Sequence, residues 1–204
     1  MNALMTRLRI AVADDERDMR QFFQEWLPHM GHEVVATVET GRQLVERCAE
    51  LRPDLIITDI KMPDMDGIEA AALVNRKHEV PVVLVTAHQE AELVARSGAE
   101  YIMAYLVKPV KPPDLQAAIP LEVARFEQYQ RVRAEAAGLR QSLEDRKVIE
   151  QAKGIVMRRL RIDEPEAYRR MRHLSSHRNC KLVELSRMMI DADMIFQSLE
   201  ELKG

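Results

Sequence analysis

The chain has 204 residues, 47% of them hydrophobic and 31% charged, with a formal net charge of −3. That balance describes one or two globular domains with enough apolar material to bury a core, and it argues against a disordered or fibrous chain. No stretch approaches the ~20 apolar residues of a membrane span, MNALMTRLRI has no signal-like apolar run, and two distant cysteines, Cys48 and Cys180, suit reduced thiols. A cytoplasmic protein is expected.

Arg9 to Ala13 is a short apolar run that ends on Asp14-Asp15. An amphipathic stretch follows, with Met19, Phe22, Phe23, Trp26 and Leu27 at helical spacing. Glu33 to Val38 reads as a second strand and Gly41 to Glu50 as a second helix. The run Leu55-Ile56-Ile57-Thr58 ends on Asp59, after which Met62-Pro63-Asp64-Met65-Asp66-Gly67 reads as a loop and Gly67 to Lys77 as a helix. Pro81 to Val85 ends on Thr86-Ala87, Glu90 to Ser97 supplies a helix, and Ala104 to Val107 ends on Lys108-Pro109. Pro112 onward opens a fifth helix, and the first domain closes near residue 122. Strict alternation of this kind predicts an α/β fold, a (βα)5 doubly wound parallel sheet with right-handed crossovers.

In a parallel sheet the four strand ends carrying Asp-Asp, Asp, Thr and Lys lie along one edge, where open α/β sheets bind ligands. Carboxylates about 4 Å apart repel by roughly 4 kcal/mol at an effective dielectric near 20, so the cluster calls for a cation or for bound protons. Mg²⁺ suits one or two carboxylates together with water and a phosphate oxygen. Lys108 offers a point charge to a phosphoryl group, the Thr86 hydroxyl can donate to one of its oxygens, and Asp59 suits an aspartyl nucleophile. Taken singly, Asp14-Asp15 also suit helix caps and Thr86 an ordinary strand position.

Together Asp14-Asp15, the DIKMPDMDG run around Asp59, Thr86-Ala87 and Lys108-Pro109 resemble the receiver domain of two-component response regulators, over about residues 7–122. The resemblance implies that Asp59 is the phosphoacceptor, that Asp15 and Asp59 bind Mg²⁺ directly, and that Asp14 assists through water. It makes the Lys61 carbonyl a further ligand. It also implies that Lys108 pairs with the phosphoryl group, that Thr86 closes on it, that Lys108-Pro109 is cis, and that Tyr105 is an aromatic switch moving with Thr86. Lys61 and His88 would tune the lifetime of the phosphoryl group, and a sensor histidine kinase would donate it.

Residues 123–145 read as a helical linker. Val132, Ala136, Leu139 and Leu143 recur at steps of four, three and four, a narrow seam suited to coiled-coil pairing of two copies, with a solvated single helix as the alternative. Pro120 predicts a kink or break, and Gly138 weakens the helix further.

From Arg146 to Ile190 twelve Lys and Arg face five acidic residues, an asymmetry that points to a nucleic-acid surface or to a solvated helical one. Val148, Ala152, Ile155 and Val156 make one apolar face; Ala167, Met171 and Leu174 a second, opened by Asp163-Glu164-Pro165-Glu166; Leu182, Leu185, Ser186 and Met189 a third. These predict a small three-helix bundle over residues 146–204, with a tail carrying Phe196, Leu199 and Leu202 packed back on it. Tyr168 reads as a core residue, and His173 and His177, lacking a third ligand, as surface residues.

Ala152-Lys153-Gly154, Glu166-Ala167-Tyr168 and the Leu174 to Leu185 segment resemble the ANTAR domain, the RNA-binding output module of antitermination regulators of the AmiR and NasR type. The resemblance implies binding of paired RNA hairpins with small loops, prevention of transcription termination, and a homodimer. Lys153, Gly154, Arg158, Arg172, Arg178, Asn179 and Lys181 are the candidate RNA contacts. A DNA-binding regulator, a phosphotransfer or protein-interaction module, and an Asp-nucleophile phosphatase are the alternatives, the last fitting the motif order less well. A regulator rather than an enzyme is expected.

Overall fold

The computed structural model describes residues 7–87 and 102–202. Five parallel strands form one sheet in the order β2-β1-β3-β4-β5, with β1 at Arg9–Ala13, β2 at Glu33–Val38, β3 at Leu55–Asp59, β4 at Val82–Thr86 and β5 at Ile102–Val107. The helices between them are α1 (Arg17–His29), α2 (Gly41–Leu51) and α3 (Gly67–Asn75). The helix expected over residues 90–97, and His88, lie outside the described residues. The doubly wound expectation is met: β3 and β4 are buried along their whole length, as strands covered on both faces must be.

Side-chain alternation divides the core in two. Ala11, Ala13, Ile56, Val82 and Leu84 meet Leu44 and Cys48 of α2 and Ala70, Ala71 and Val74 of α3. Ile10, Val12, Leu55, Ile57, Val83 and Val85 meet Phe23 and Leu27 of α1 with Leu115 and Ile119. The strand order reverses between β1 and β3, so the crevice at their carboxyl ends is where this topology leaves room for a ligand.

Leu115 and Ile119 belong to α4, a 49-residue helix over Pro112–Leu160. The break expected at Pro120 does not occur. Proline removes one backbone bond and strains the turn before it, but Pro120 itself is exposed while Leu115, Ile119 and Glu122 on the same turns are fully buried. Burial of that face outweighs the local cost. The linker and the first helix of the basic segment are thus one continuous helix, which also passes through Gly138.

The chain divides into two compact units, residues 1–130 and 131–204. In the second, α4 is joined by α5 (Glu164–His177) and α6 (Leu182–Glu201). Asp163 caps α5 by accepting from the Glu166 amide at 3.1 Å, with Pro165 in the first turn. Ala152, Ile155, Ala167, Met171 and Leu185 form the buried centre, as the sequence periodicity predicts. The expected tail packs back only at its start: Asp193 is buried and pairs with Arg159 of α4 at 2.7 Å, and that guanidinium lies 5.6 Å from the Phe196 ring, whereas Leu199 and Leu202 continue α6 and its C-cap more than half exposed. Tyr168 is also not core, at 42% exposure, since it lies one position off the Ala167–Met171 face that turns inward. Among the described residues no helix is long and apolar enough to cross a membrane.

Candidate functional site

β1, β3, β4 and β5 deliver Asp14, Asp59, Thr86 and Lys108 to one edge, because register in a parallel sheet aligns their carboxyl ends: Ala13 pairs with Thr58, Asp59 with Val85, and Thr86 with Val107. Lys108 is the centre of the cluster. Its Nζ lies 2.8 Å from Asp59 Oδ2, 3.2 Å from Asp14 Oδ2 and 2.7 Å from Glu16 Oε1. The peptide bond between Lys108 and Pro109 is cis, as expected. Asp59 Oδ1 accepts from the Ile60 amide at 2.7 Å, and Asp14 Oδ1 from the Glu16 amide at 2.9 Å.

Carboxylate oxygens of Asp14, Asp15, Glu16 and Asp59 all lie within 4.8 Å of one another, Asp14 and Asp59 buried and Asp15 and Glu16 exposed. Burial raises the Asp14 pKa above the ordinary carboxylate range, and the charge of Asp59 adds to this, against the Glu16 amide and Lys108. Burial alone would lower the Lys108 pKa, but its hydrogen bonds to Asp59 and Glu16, with the charges of Asp14 and Asp59, raise it. One oxygen, Asp14 Oδ2, is fully buried and accepts no well-directed hydrogen bond, although Nζ is near it. A buried acceptor without a donor, inside four converging carboxylates, fits a hard divalent cation with oxygen ligands.

Two contributors were not read from the sequence. Glu16 directly follows the Asp pair, a position where an acidic residue at a helix start looks like a cap. Arg20 lies one turn into α1, where it reads as surface charge; instead its guanidinium donates to the carbonyls of Asp14 and Asp15, both at 2.8 Å, and pairs with Glu39 at 2.5 Å. The Arg20 side chain, only 13% exposed, therefore fixes the loop that carries the acidic pair. Close approach requires Gly67, since a Cβ there would stand 1.9 Å from the Asp59 carbonyl oxygen. The Gly67 amide donates to Ile60, tying the start of α3 to the end of β3.

Thr86 is buried and its hydroxyl donates to the Ala87 carbonyl at 3.0 Å. Tyr105 is 47% exposed. Lys61 is exposed in the loop after Asp59.

In the second unit the predicted RNA contacts separate. Arg158, Arg172, Arg178, Asn179 and Lys181 are exposed. Asn179 holds a left-handed backbone, φ 50°, in the turn between α5 and α6, and the Lys181 amide donates to Glu184 at 3.1 Å. Both positions thereby have conformational work besides any ligand contact. Lys153 is buried, with Nζ 2.6 Å from Glu150 and 2.7 Å from Glu164, and these hydrogen bonds raise its pKa. A Cβ on Gly154 would meet only the Arg158 guanidinium, at 3.5 Å, so packing does not demand glycine there. His173 and His177 are exposed.

Comparison with known proteins covers both units. The response regulator receiver domain family matches residues 10–120, and the ANTAR domain family matches residues 137–190. The transcriptional regulatory protein PdtaR of Mycobacterium tuberculosis is 35% identical over 183 residues, 90% of this chain and 89% of that protein. A protein-glutamate methylesterase/protein-glutamine glutaminase of Geobacillus kaustophilus is 34% identical over 114 residues, 54% of this chain but 33% of the other, a partial match. Among solved structures, the response regulator domain of Thermotoga maritima CheB has a TM-score of 0.51 and 28% identity, covering 58% of this chain and 97% of that one. A receiver domain protein of Clostridium thermocellum has a TM-score of 0.54 and 27% identity, covering 59% and 98%.

Proposed function

The chain belongs to the response regulators that join a receiver domain to an ANTAR domain, and from that premise we propose that it is phosphorylated on Asp59 and controls gene expression by binding RNA hairpins that would otherwise favour termination. A receiver implies a kinase as phosphoryl source, and an ANTAR domain implies RNA. The observation that carries the reading is Lys108 Nζ between Asp59 and Asp14 beside the unsatisfied Asp14 Oδ2.

Asp14, Asp15 and Asp59, with the Lys61 carbonyl, would hold Mg²⁺, which when bound neutralises charge on the transferring phosphoryl group. The chain's own residues do the rest. An Asp59 carboxylate oxygen attacks phosphorus of a phosphohistidine as the P–N bond breaks, the electron pair leaving with the imidazole. Lys108 already stands 2.8 Å from the acceptor carboxylate, so its charge meets the phosphoryl oxygens with little movement. Thr86 turns its hydroxyl from the Ala87 carbonyl to the phosphoryl group, and the space it leaves admits the ring of Tyr105, now half exposed. The protein acts as a regulator in the cytoplasm.

Val132, Leu139 and Leu143 are each about 60% exposed along one seam of α4, which supports pairing of two copies there. Arg158, Arg172, Arg178, Asn179 and Lys181 would face RNA. Lys153, held by two carboxylates, acts on that surface through Glu150 and Glu164 rather than on phosphate.

The test is binding by the full chain to two-hairpin RNAs with small loops and to duplex DNA, with and without a small acyl-phosphate donor and Mg²⁺. Selective hairpin binding that strengthens on phosphorylation, and is lost in Asp59→Asn, is the expected result. Phosphate incorporation persisting in Asp59→Asn moves the acceptor, and binding to duplex DNA alone overturns the RNA output.

A further inference from the structure

We propose that the cleft between α4 and α5 receives one unstacked base of an RNA loop, with Tyr168 as the stacking platform; this rests on the RNA-binding reading above. The cleft has a volume of about 680 Å³, within the range of small-ligand pockets. One part of its lining is apolar: the Tyr168 ring, Pro165 and Ile149. Tyr168 is the single Phe, Tyr or Trp between Arg146 and Ile190, and the bundle does not use it as core, since Ala167 and Met171 fill the inward face of α5. An exposed ring beside a prolyl ring in a basic segment has the features of a base-stacking platform.

The polar side of the cleft selects a base over a phosphate. Lys153 Nζ is fixed between Glu150 and Glu164, so one donor and two carboxylate acceptors converge, and a third carboxylate on the lining, Asp145, is paired with Arg187 at 3.7 Å. The carboxylates repel an anion but accept hydrogen bonds from exocyclic amino and ring N–H groups, the donors that an unpaired base presents on its edge. Arg146 lines the same cleft, is exposed, and has no ion-pair partner among the described residues. It stands where the phosphate attached to an inserted base needs a counter-charge. The arrangement is a ring for the face, a donor–acceptor set for the edge, and a cation for the backbone.

The experiment uses the full chain and a series of two-hairpin RNAs in which each loop nucleotide in turn is made abasic or replaced by 2-aminopurine. For the wild type, one loop position is expected to lose fluorescence on binding, and its abasic form to bind on the order of 10-fold more weakly, the scale of one lost stacking contact. Tyr168→Leu, which keeps apolar bulk without a π-face, is expected to weaken the intact RNA by a similar factor and to show no further loss with that abasic RNA. Tyr168→Trp is expected to retain binding. Circular dichroism of each variant verifies the fold, and the abasic series on the wild type needs no variant. Hairpin binding by the wild type that is indifferent to every abasic position, or losses from Tyr168→Leu and the abasic site that simply add, overturns the cleft while sparing the RNA reading. Absence of any hairpin binding by the wild type overturns both.

Discussion

Lys108→Met tests whether the acidic edge is a true charge cluster. The substitution keeps most of the apolar stem and removes the cation that Asp59 faces at 2.8 Å and Asp14 at 3.2 Å. Lys108 is 17% exposed at its side chain and those two carboxylates 8% and 0%, so the pairs are screened little by water. The Glu16 pair, 60% exposed on the acid side, adds little. Removing one member of a buried ion pair typically costs 3–5 kcal/mol, and a loss of about 3 kcal/mol at pH 7.5 without metal is expected. Urea unfolding followed by fluorescence of Trp26, the single tryptophan, reports on the first unit alone. Two conditions then restore stability. Mg²⁺ at about 100 times its dissociation constant returns roughly 2.7 kcal/mol. Acidification also helps: the Asp14 pKa is raised in the folded chain, so its contribution is fully present below the unfolded pKa and is lost as pH rises through the folded value. Without Lys108, which lowers that pKa, the loss begins nearer neutrality, and the deficit narrows from pH 7.5 to pH 5. A deficit equal at both pH values and indifferent to Mg²⁺ would refute the reasoning and leave only lost packing.

Arg20→Met removes the donor to the Asp14 and Asp15 carbonyls and is expected to weaken Mg²⁺ binding about 10-fold, measured by titration of Trp26 fluorescence, while Arg20→Lys, which keeps the charge without the fork, recovers only part. Gly67→Ala would force a Cβ into the Asp59 carbonyl oxygen; a destabilisation of about 3 kcal/mol in urea unfolding is expected, and phosphorylation by an acyl phosphate should slow, whereas wild-type behaviour would mean the start of α3 shifts freely. Glu122 is buried, with Oε2 unpartnered and its pKa raised by burial against the charge of Arg125. Its stabilising effect is lost as pH rises through the folded value, so Glu122→Gln should gain about 1 kcal/mol at pH 7.5 and nothing at pH 4; a gain independent of pH would place the effect outside ionisation.

The first unit was legible because its information is local. Apolar runs of strand length, each ended by Asp14-Asp15, Asp59, Thr86 or Lys108, specify both the alternation of elements and the edge on which those residues meet, since parallel strands all present the same end. Helical periodicity likewise gave Ala152, Ile155, Ala167, Met171 and Leu185 as buried positions. What tertiary structure decided was the outcome of competitions that local rules cannot weigh. Pro120 does not break α4 because Leu115 and Ile119 on the same turns are buried against the sheet. Arg20 became part of the acidic edge because the turn after β1 brings two carbonyls to its guanidinium. Lys153 is held by Glu150 one turn away on its own helix and by Glu164 of the next helix, eleven residues on, and Tyr168 lines the cleft between those helices. Spacing along one element names the face a residue lies on, and only the packing of the next element decides whether that face is core, ion pair or open surface.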